Sequence, residues 1–100
     1  MGCSATMRLL GRDKLDKFKR KHAQSRGPLN AWQQEVREAS WEKWADIRQG
    51  FPSADWLGEG RVVFNIKGND YRLVVMVRFS NGVVAVERIG THAEYDRWQL

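Results

Sequence analysis

Val62-Val63-Phe64-Asn65-Ile66-Lys67-Gly68-Asn69-Asp70-Tyr71-Arg72-Leu73-Val74-Val75-Met76-Val77 is the stretch that decides the fold. Val62, Phe64 and Ile66 alternate with Val63, Asn65 and Lys67, the period-two pattern of a strand with one buried face. The alternation resumes with Tyr71, Leu73, Val75 and Val77. Between the two runs, Gly68-Asn69 suits a tight hairpin, because both residue types tolerate positive φ. A two-residue turn there sets Asn65 opposite Arg72, Phe64 opposite Leu73 and Val62 opposite Val75. One hairpin face is then apolar. The other carries Asn65 and Arg72, with Lys67 expected beside them.

Downstream, Asn81-Gly82 signals a second hairpin, and a strand is expected from Val83 to about Ile89. Thr91 then caps a short helix running through Trp98. A two-residue Asn81-Gly82 turn brings Thr91, and with it the His92 segment, beside Arg72. The same register puts Arg88 on the apolar face, unless a bulge rotates it. Upstream, Met7 to Leu10 reads as a first strand. Leu15, Phe18 and His22 form the narrow apolar stripe of a basic amphipathic helix. Gly27-Pro28 ends that helix, and Pro28 fits the first turn of a second one. There Leu29, Trp32, Val36 and Ala39 repeat at helical spacing. Ser40 is the expected cap of a further segment carrying Trp41, Trp44, Ala45 and Ile47, before a loop at Gly50, Pro52 and Ser53. Gly58-Glu59-Gly60 reads as a turn. The fold class is α+β: N-terminal helices packed on a small, mainly antiparallel sheet, with a short C-terminal helix.

A chain of 100 residues, 42% hydrophobic and 29% charged, has the composition of one globular domain. No stretch approaches the roughly 20 apolar residues that span a bilayer, and the N-terminus lacks a secretory apolar run. The single cysteine, Cys3, cannot form an internal disulfide, so a reducing interior, the cytoplasm, is the simplest expectation. Residues 1–6 match a lipidation pattern, Met-Gly-Cys-Ser-Ala-Thr, that is short and degenerate. Met7 makes the natural start of the ordered sequence. Residues 1–6 are therefore expected to be an extension, and residues 7–100 a single domain. The net charge of +5, concentrated in Arg8, Arg12, Lys14, Lys17, Lys19, Arg20 and Lys21, attracts polyanions. A solvated helix face explains such a run equally well.

The polar hairpin face and the segment Arg88-Ile89-Gly90-Thr91-His92-Ala93-Glu94-Tyr95 carry the residue types that handle a phosphate without a metal. RNA cleavage by its own 2′-hydroxyl needs a base for that proton, an acid for the leaving 5′-oxygen, and positive charge around phosphorus. Arg72 suits bidentate phosphate contact, and Lys67 adds a compact charge. His92 changes protonation within reach of neutral pH and serves as acid or base. Tyr95, three residues on, shares its helical face and can donate a proton or stack on a base. Asn65 and Asn69 offer neutral hydrogen bonds, and Arg88 is a weaker candidate for substrate contact. No paired carboxylates, zinc spacing, Walker loop or dinucleotide fingerprint is present, so no cofactor or metal is expected. Two hypotheses follow: a small ribonuclease, or a non-catalytic basic module that binds RNA or an acidic protein.

Phe64-Asn65-Ile66-Lys67-Gly68-Asn69-Asp70-Tyr71-Arg72-Leu73 and Gly90-Thr91-His92-Ala93-Glu94-Tyr95-Asp96 closely resemble the HigB-type toxins of bacterial type II toxin–antitoxin systems. The resemblance runs from about Met7 to Asp96 and includes Trp32, Trp41 and Phe51-Pro52-Ser53-Ala54-Asp55. It implies a RelE-superfamily fold, two N-terminal helices against a small sheet. It also implies a metal-independent endoribonuclease that cleaves mRNA during translation on the ribosome. A cognate HigA-type antitoxin with a helix-turn-helix domain is implied as partner, with operator DNA reached only through that antitoxin and no membrane contact. Carried onto matching positions, Arg72, His92 and Tyr95 are the catalytic candidates, with Lys67 and Asn69 assisting. Antitoxin binding is expected at the basic first helix or the cationic cleft.

Overall fold

The computed structural model describes residues 7–68 and 70–98. Strand β1 (Arg8–Leu10) leads into helix α1 (Arg12–Lys21), and a 3-10 turn (Ala23–Ser25) connects to α2 (Arg26–Glu38). Helix α3 (Trp44–Gly50) precedes strands β2 (Asp55–Gly58), β3 (Arg61–Ile66), β4 (Tyr71–Arg78) and β5 (Val83–Thr91), and α4 (His92–Tyr95) follows. The five strands form one sheet in the order β1-β5-β4-β3-β2. Only the β1–β5 pair is parallel; the other three are antiparallel. The α+β class stands, with a mixed sheet; α3 is the further segment expected after α2 and adds to the two N-terminal helices that the resemblance implies.

The apolar stripes read from the sequence meet in one core. Leu15 and Phe18 of α1 and Leu29, Trp32 and Val36 of α2 pack on Val62, Phe64, Leu73, Val75, Val84 and Val86 of the sheet. Phe64 is the hub. Its ring lies 5.4 Å from Trp32, 4.9 Å from Phe51 and 6.2 Å from Trp41, centre to centre. It thereby ties α2 and the loops flanking α3 to the sheet. The edge-on contacts add to the area buried, since ring quadrupoles favour them.

The β3–β4 hairpin has the expected register: Asn65 faces Arg72, Phe64 faces Leu73 and Val62 faces Val75. The β4–β5 hairpin departs from expectation twice. Arg78 pairs with Val83, so the loop runs from Phe79 to Gly82 and is not the two-residue Asn81-Gly82 turn. Farther along, Val75 pairs with Val86 while Val74 pairs with Arg88, leaving Glu87 as the extra residue of a bulge. The longer loop preserves which side chains face inward; the bulge reverses them beyond it. Arg88 therefore leaves the helix-covered face and joins that of Val74. Gly90, not Thr91, stands opposite Arg72.

Other boundaries also differ. The α3 helix begins after Lys43, not at Ser40, because the Asp46 carboxylate accepts from the Glu42 and Lys43 backbone N–H groups. Trp41 stays outside the helix but is buried. Edge strand β2 was not legible, and Gly58-Glu59-Gly60 is its turn into β3. At Gly60 (φ +85°) an added Cβ would sit 2.9 Å from the Val77 carbonyl oxygen, so only glycine permits this approach. The expectations for residues 1–6 and for Asn69 lie outside the described residues.

Phe64→Ala should cost about 3–5 kcal/mol of unfolding free energy, measured by urea denaturation. Leu57→Ala, at an exposed edge position, should change it by about 0.5 kcal/mol or less.

Candidate active site

The sheet face turned away from the core carries the candidate site. Side chains paired across an antiparallel ladder share a face, so the pairing fixes its rows. One row runs Asn65, Arg72, Gly90; the next runs Val63, Val74, Arg88; the third brings Arg61 beside Met76 and Ala85. Val63 and Val74 are buried and give the face an apolar floor. Cations stand on and around that floor. Acids are present as well: Glu87, at the bulge, lies 3.2 Å from Arg61 Nε, and exposed Asp55 pairs with Val63 at the β2 edge. Both acids reach the face through features without a local sequence signal, the edge strand β2 and the β5 bulge.

Arg72 is the centre. Its guanidinium donates through Nη1 to the Asn65 side-chain oxygen, and its Cζ stands 5.3 Å from the centre of the Tyr95 ring. Asn65 in turn donates to the Ser53 carbonyl at 3.2 Å, so its amide is oriented before it reaches Arg72. The buried Arg72 Nε–H has no partner among the described residues. Such a donor costs free energy unless something meets it. The fold uses only part of this guanidinium.

A capping box delivers α4 to the same face. Thr91 Oγ1 accepts from Glu94 N at 3.2 Å, and the Glu94 carboxylate accepts from Thr91 N at 2.9 Å. The His92 backbone N–H donates to the Asp70 carbonyl at 3.1 Å, docking the start of the helix on the β3–β4 turn. Thr91 serves as cap, as its sequence context predicts, but the α-helix ends at Tyr95, short of Trp98. Donation from the Thr91 backbone holds the Glu94 carboxyl below its ordinary value of 4.5; partial desolvation opposes this, and the Thr91 hydroxyl, Lys21 and His22 reinforce it.

Placement of the remaining candidates is uneven. His92 is exposed, with Nδ1 3.3 Å from an Asp96 carboxylate oxygen. His92 and Arg72 share no partner among the described residues; they are related through α4, which sets Tyr95 on Arg72 one turn after His92. Lys67 has left the strand alternation, since its φ is +53°. Its ammonium contacts Asp70 at 3.1 Å and Gln24, in the 3-10 turn, at 3.4 Å. It therefore sits at the rim, not in the Asn65–Arg72 row. Arg88 is on the site face and stands 5.6 Å from the Trp98 ring centre. Sequence reasoning gave Trp98 no role at the site. The signal lay in Gly90, where an added Cβ would approach Trp98 to 2.8 Å. That glycine is what lets the indole lie on the sheet.

With this geometry in hand, the class is that of a small α+β protein with a cationic sheet face. A family profile described as the HigB toxin, the RelE-like toxic component of a toxin–antitoxin system, matches residues 25–98. The chain belongs to this family. It is also similar to the mRNA interferase toxin HigB of Escherichia coli (strain K12), 29% identical over 92 residues, covering 90% of this chain and 88% of that protein. The mRNA interferase HigB of Shigella flexneri matches to the same extent, 29% over 92 residues. Among the described residues no helix is long and apolar enough to cross a membrane.

Because its folded-state pKa lies below the ordinary value, the Glu94 brace is complete above that value and is lost as pH falls through the folded one. The Thr91 amide resonance should titrate with a midpoint below 4.5, and Glu94→Gln should flatten the curve. A wild-type amide insensitive to pH between about 3 and 6 would show that the brace does not form. Gly90→Ala should leave the fold intact while shifting the Trp98 indole and Tyr95 ring resonances.

Proposed function

We propose that this chain is the toxin of a toxin–antitoxin pair and an endoribonuclease that cleaves mRNA while it is translated on the ribosome, without a metal. The observation that carries the reading is the half-buried Arg72 guanidinium, oriented by Asn65 and covered by Tyr95 on a cationic face, with a buried Nε–H that no described residue meets. Membership of the HigB family and the names of its mRNA-cleaving relatives support it.

The chemistry is transfer of phosphorus from the 5′-oxygen to the neighbouring 2′-oxygen. A base takes the 2′-hydroxyl proton, the 2′-oxygen bonds to phosphorus, the bond to the 5′-oxygen breaks, and an acid protonates that oxygen. Arg72 stabilises the charge gathering on the phosphoryl oxygens, where a preoriented donor in a partly desolvated site has most effect. His92 is suited to take the first proton. Asp96 beside Nδ1 favours the tautomer with hydrogen there, leaving Nε2 to accept. Tyr95, in contact with the cation, delivers a proton or orients the phosphate. Lys67 at the rim and Arg88 in the adjacent row hold the strand, with Asn65 and Asn69 assisting. The cations, phenol and imidazole do the work assigned elsewhere to a metal. Neutralisation falls to a cognate antitoxin of the HigA type, whose acidic surface is drawn to α1 or to the cationic face; operator DNA is reached through that antitoxin.

The test is expression in growing cells with mapping of new RNA ends. The wild-type chain should arrest growth and leave 5′-hydroxyl and 2′,3′-cyclic phosphate or 3′-phosphate ends in translated mRNAs. Arg72→Ala should lower cleavage by at least about a hundredfold while the circular dichroism spectrum stays native. Ends bearing 5′-phosphate would point to water attack and contradict the mechanism. Full toxicity of folded Arg72→Ala and His92→Ala variants would remove both from the machinery.

A further inference from the structure

Arg72 is the first member of a continuous ladder. Its Cζ is 5.3 Å from the Tyr95 ring, Tyr95 is 5.8 Å from the Trp98 ring, and Arg88 Cζ is 5.6 Å from Trp98. Cation and aromatic ring face each other at both ends, a packing that fixes both without using up the cation's hydrogen-bond donors. The ladder leads off the site face, over Gly90, and ends in a groove of about 410 Å³ between α1 and the β5–α4 corner.

That groove has two kinds of lining. Trp98, Ile89 and Phe18 give it apolar surface, while Lys17 and Lys21 from α1 and Arg88 from β5 supply charge. Lys14 also lines it, but its ammonium is held by the Val86 and Glu87 carbonyls at 3.2 and 3.3 Å. Lys17 and Lys21 are exposed and lie one helical turn apart. Glu87 and Glu94 line the groove too, the first beside Arg61 and the second committed to the Thr91 cap, so the cations prevail. Lys21, at the end of α1, and His22 lie close enough to this corner to help lower the Glu94 carboxyl. A volume of this size matches the roughly 300–1,000 Å³ of small-ligand sites and accommodates one nucleotide.

We propose that this groove receives one unpaired nucleotide of the RNA strand next to the scissile phosphate, its base against Trp98 and its phosphate at Lys17 and Lys21. The proposal rests on the endoribonuclease reading and extends it by a subsite. An aromatic surface across from α1 ammonium groups that have no partner among the described residues is the pairing that single-stranded nucleic acid needs, because a base offers a π-face and its backbone a charge. A paired base keeps its faces inside the stack and gains nothing here. An acidic peptide would use the lysines but leave the aromatic surface idle. Trp98 therefore has a function apart from packing α4: it selects flexible, unpaired RNA and sets how far the strand extends from Arg72.

The experiment titrates the full chain into fluorescent oligoribonucleotides, an unpaired octamer and a trimer, with a duplex and polyglutamate as controls. Wild type should prefer the octamer. Trp98→Ala and the surface double variant Lys17→Ala/Lys21→Ala should each weaken octamer binding by about tenfold and trimer binding by less than about twofold. The lysine variant, which touches no buried group, should also flatten the salt dependence by about one log unit per decade. Octamer binding within about twofold of wild type in both variants would overturn the subsite, as would polyglutamate binding that matches the octamer and ignores Trp98. Cleavage of translated mRNA by the same proteins is scored separately. Loss of cutting in Arg72→Ala supports the nuclease reading whatever the groove does. A wild type that binds the octamer through Trp98 but cuts nothing leaves an RNA groove and defeats the nuclease reading.

Discussion

The register of β3 against β4 is the constraint on which core and site both depend. It sets Phe64 opposite Leu73 inside and Asn65 opposite Arg72 outside. A slip of one residue would reverse every side chain of the strand. A slip of β3 would take Phe64 out of its cage of Trp32, Trp41 and Phe51; a slip of β4 would carry Arg72 into an apolar core as an unpaired charge. The first error costs several kcal/mol of buried aromatic packing, and the second more, because an isolated buried cation has no compensating partner. The same burial that stabilises the fold therefore aims the guanidinium at solvent. Function here is the outward side of a packing decision.

How much of this could be read in advance follows from the physics of each element. The β3–β4 pairing was legible because Gly68-Asn69 admits a single short turn and the alternation on both sides agrees with it. The capping role of Thr91 was legible for a similar reason: a hydroxyl followed by Glu94 three residues later is a local signal that needs no tertiary information. The β4–β5 pairing was not. Asn81-Gly82 does lie in the loop, but the loop spans Phe79 to Gly82, and nothing in Val86-Glu87-Arg88 announces the bulge. Two errors of register, one preserving the face and one reversing it, moved Arg88 to the wrong side and put Thr91 where Gly90 stands. Edge strand β2 escaped notice because Asp55-Trp56-Leu57-Gly58 is short and exposed, with no buried face to impose alternation. Lys67 was misplaced because a non-glycine residue at positive φ is uncommon and unreadable from neighbours alone.

The site is assembled from three chain regions that share few direct bonds. Ser53 orients Asn65, Asn65 orients Arg72, and the capping box of Thr91 and Glu94 sets the turn of helix that lays Tyr95 on the guanidinium. Each link is a short-range contact of ordinary strength. Their effect comes from being in series, so that the position of one cation is over-determined from both sides. His92 stands outside this chain of contacts, tied instead to Asp70 and Asp96 near the turn. In the proposed mechanism this separates the cation assigned to the phosphate from the imidazole assigned to the proton.

The central claim is that the unmet face of Arg72 is where an RNA phosphate binds. The most direct measurement follows the Arg72 Nε–H resonance as an unpaired oligoribonucleotide is added, with 2′-O-methyl groups so that it binds without being cut. The account predicts that this resonance shifts in step with Tyr95 and Trp98, along one binding curve. An Nε–H signal that stays fixed while the oligonucleotide saturates the protein elsewhere would contradict it.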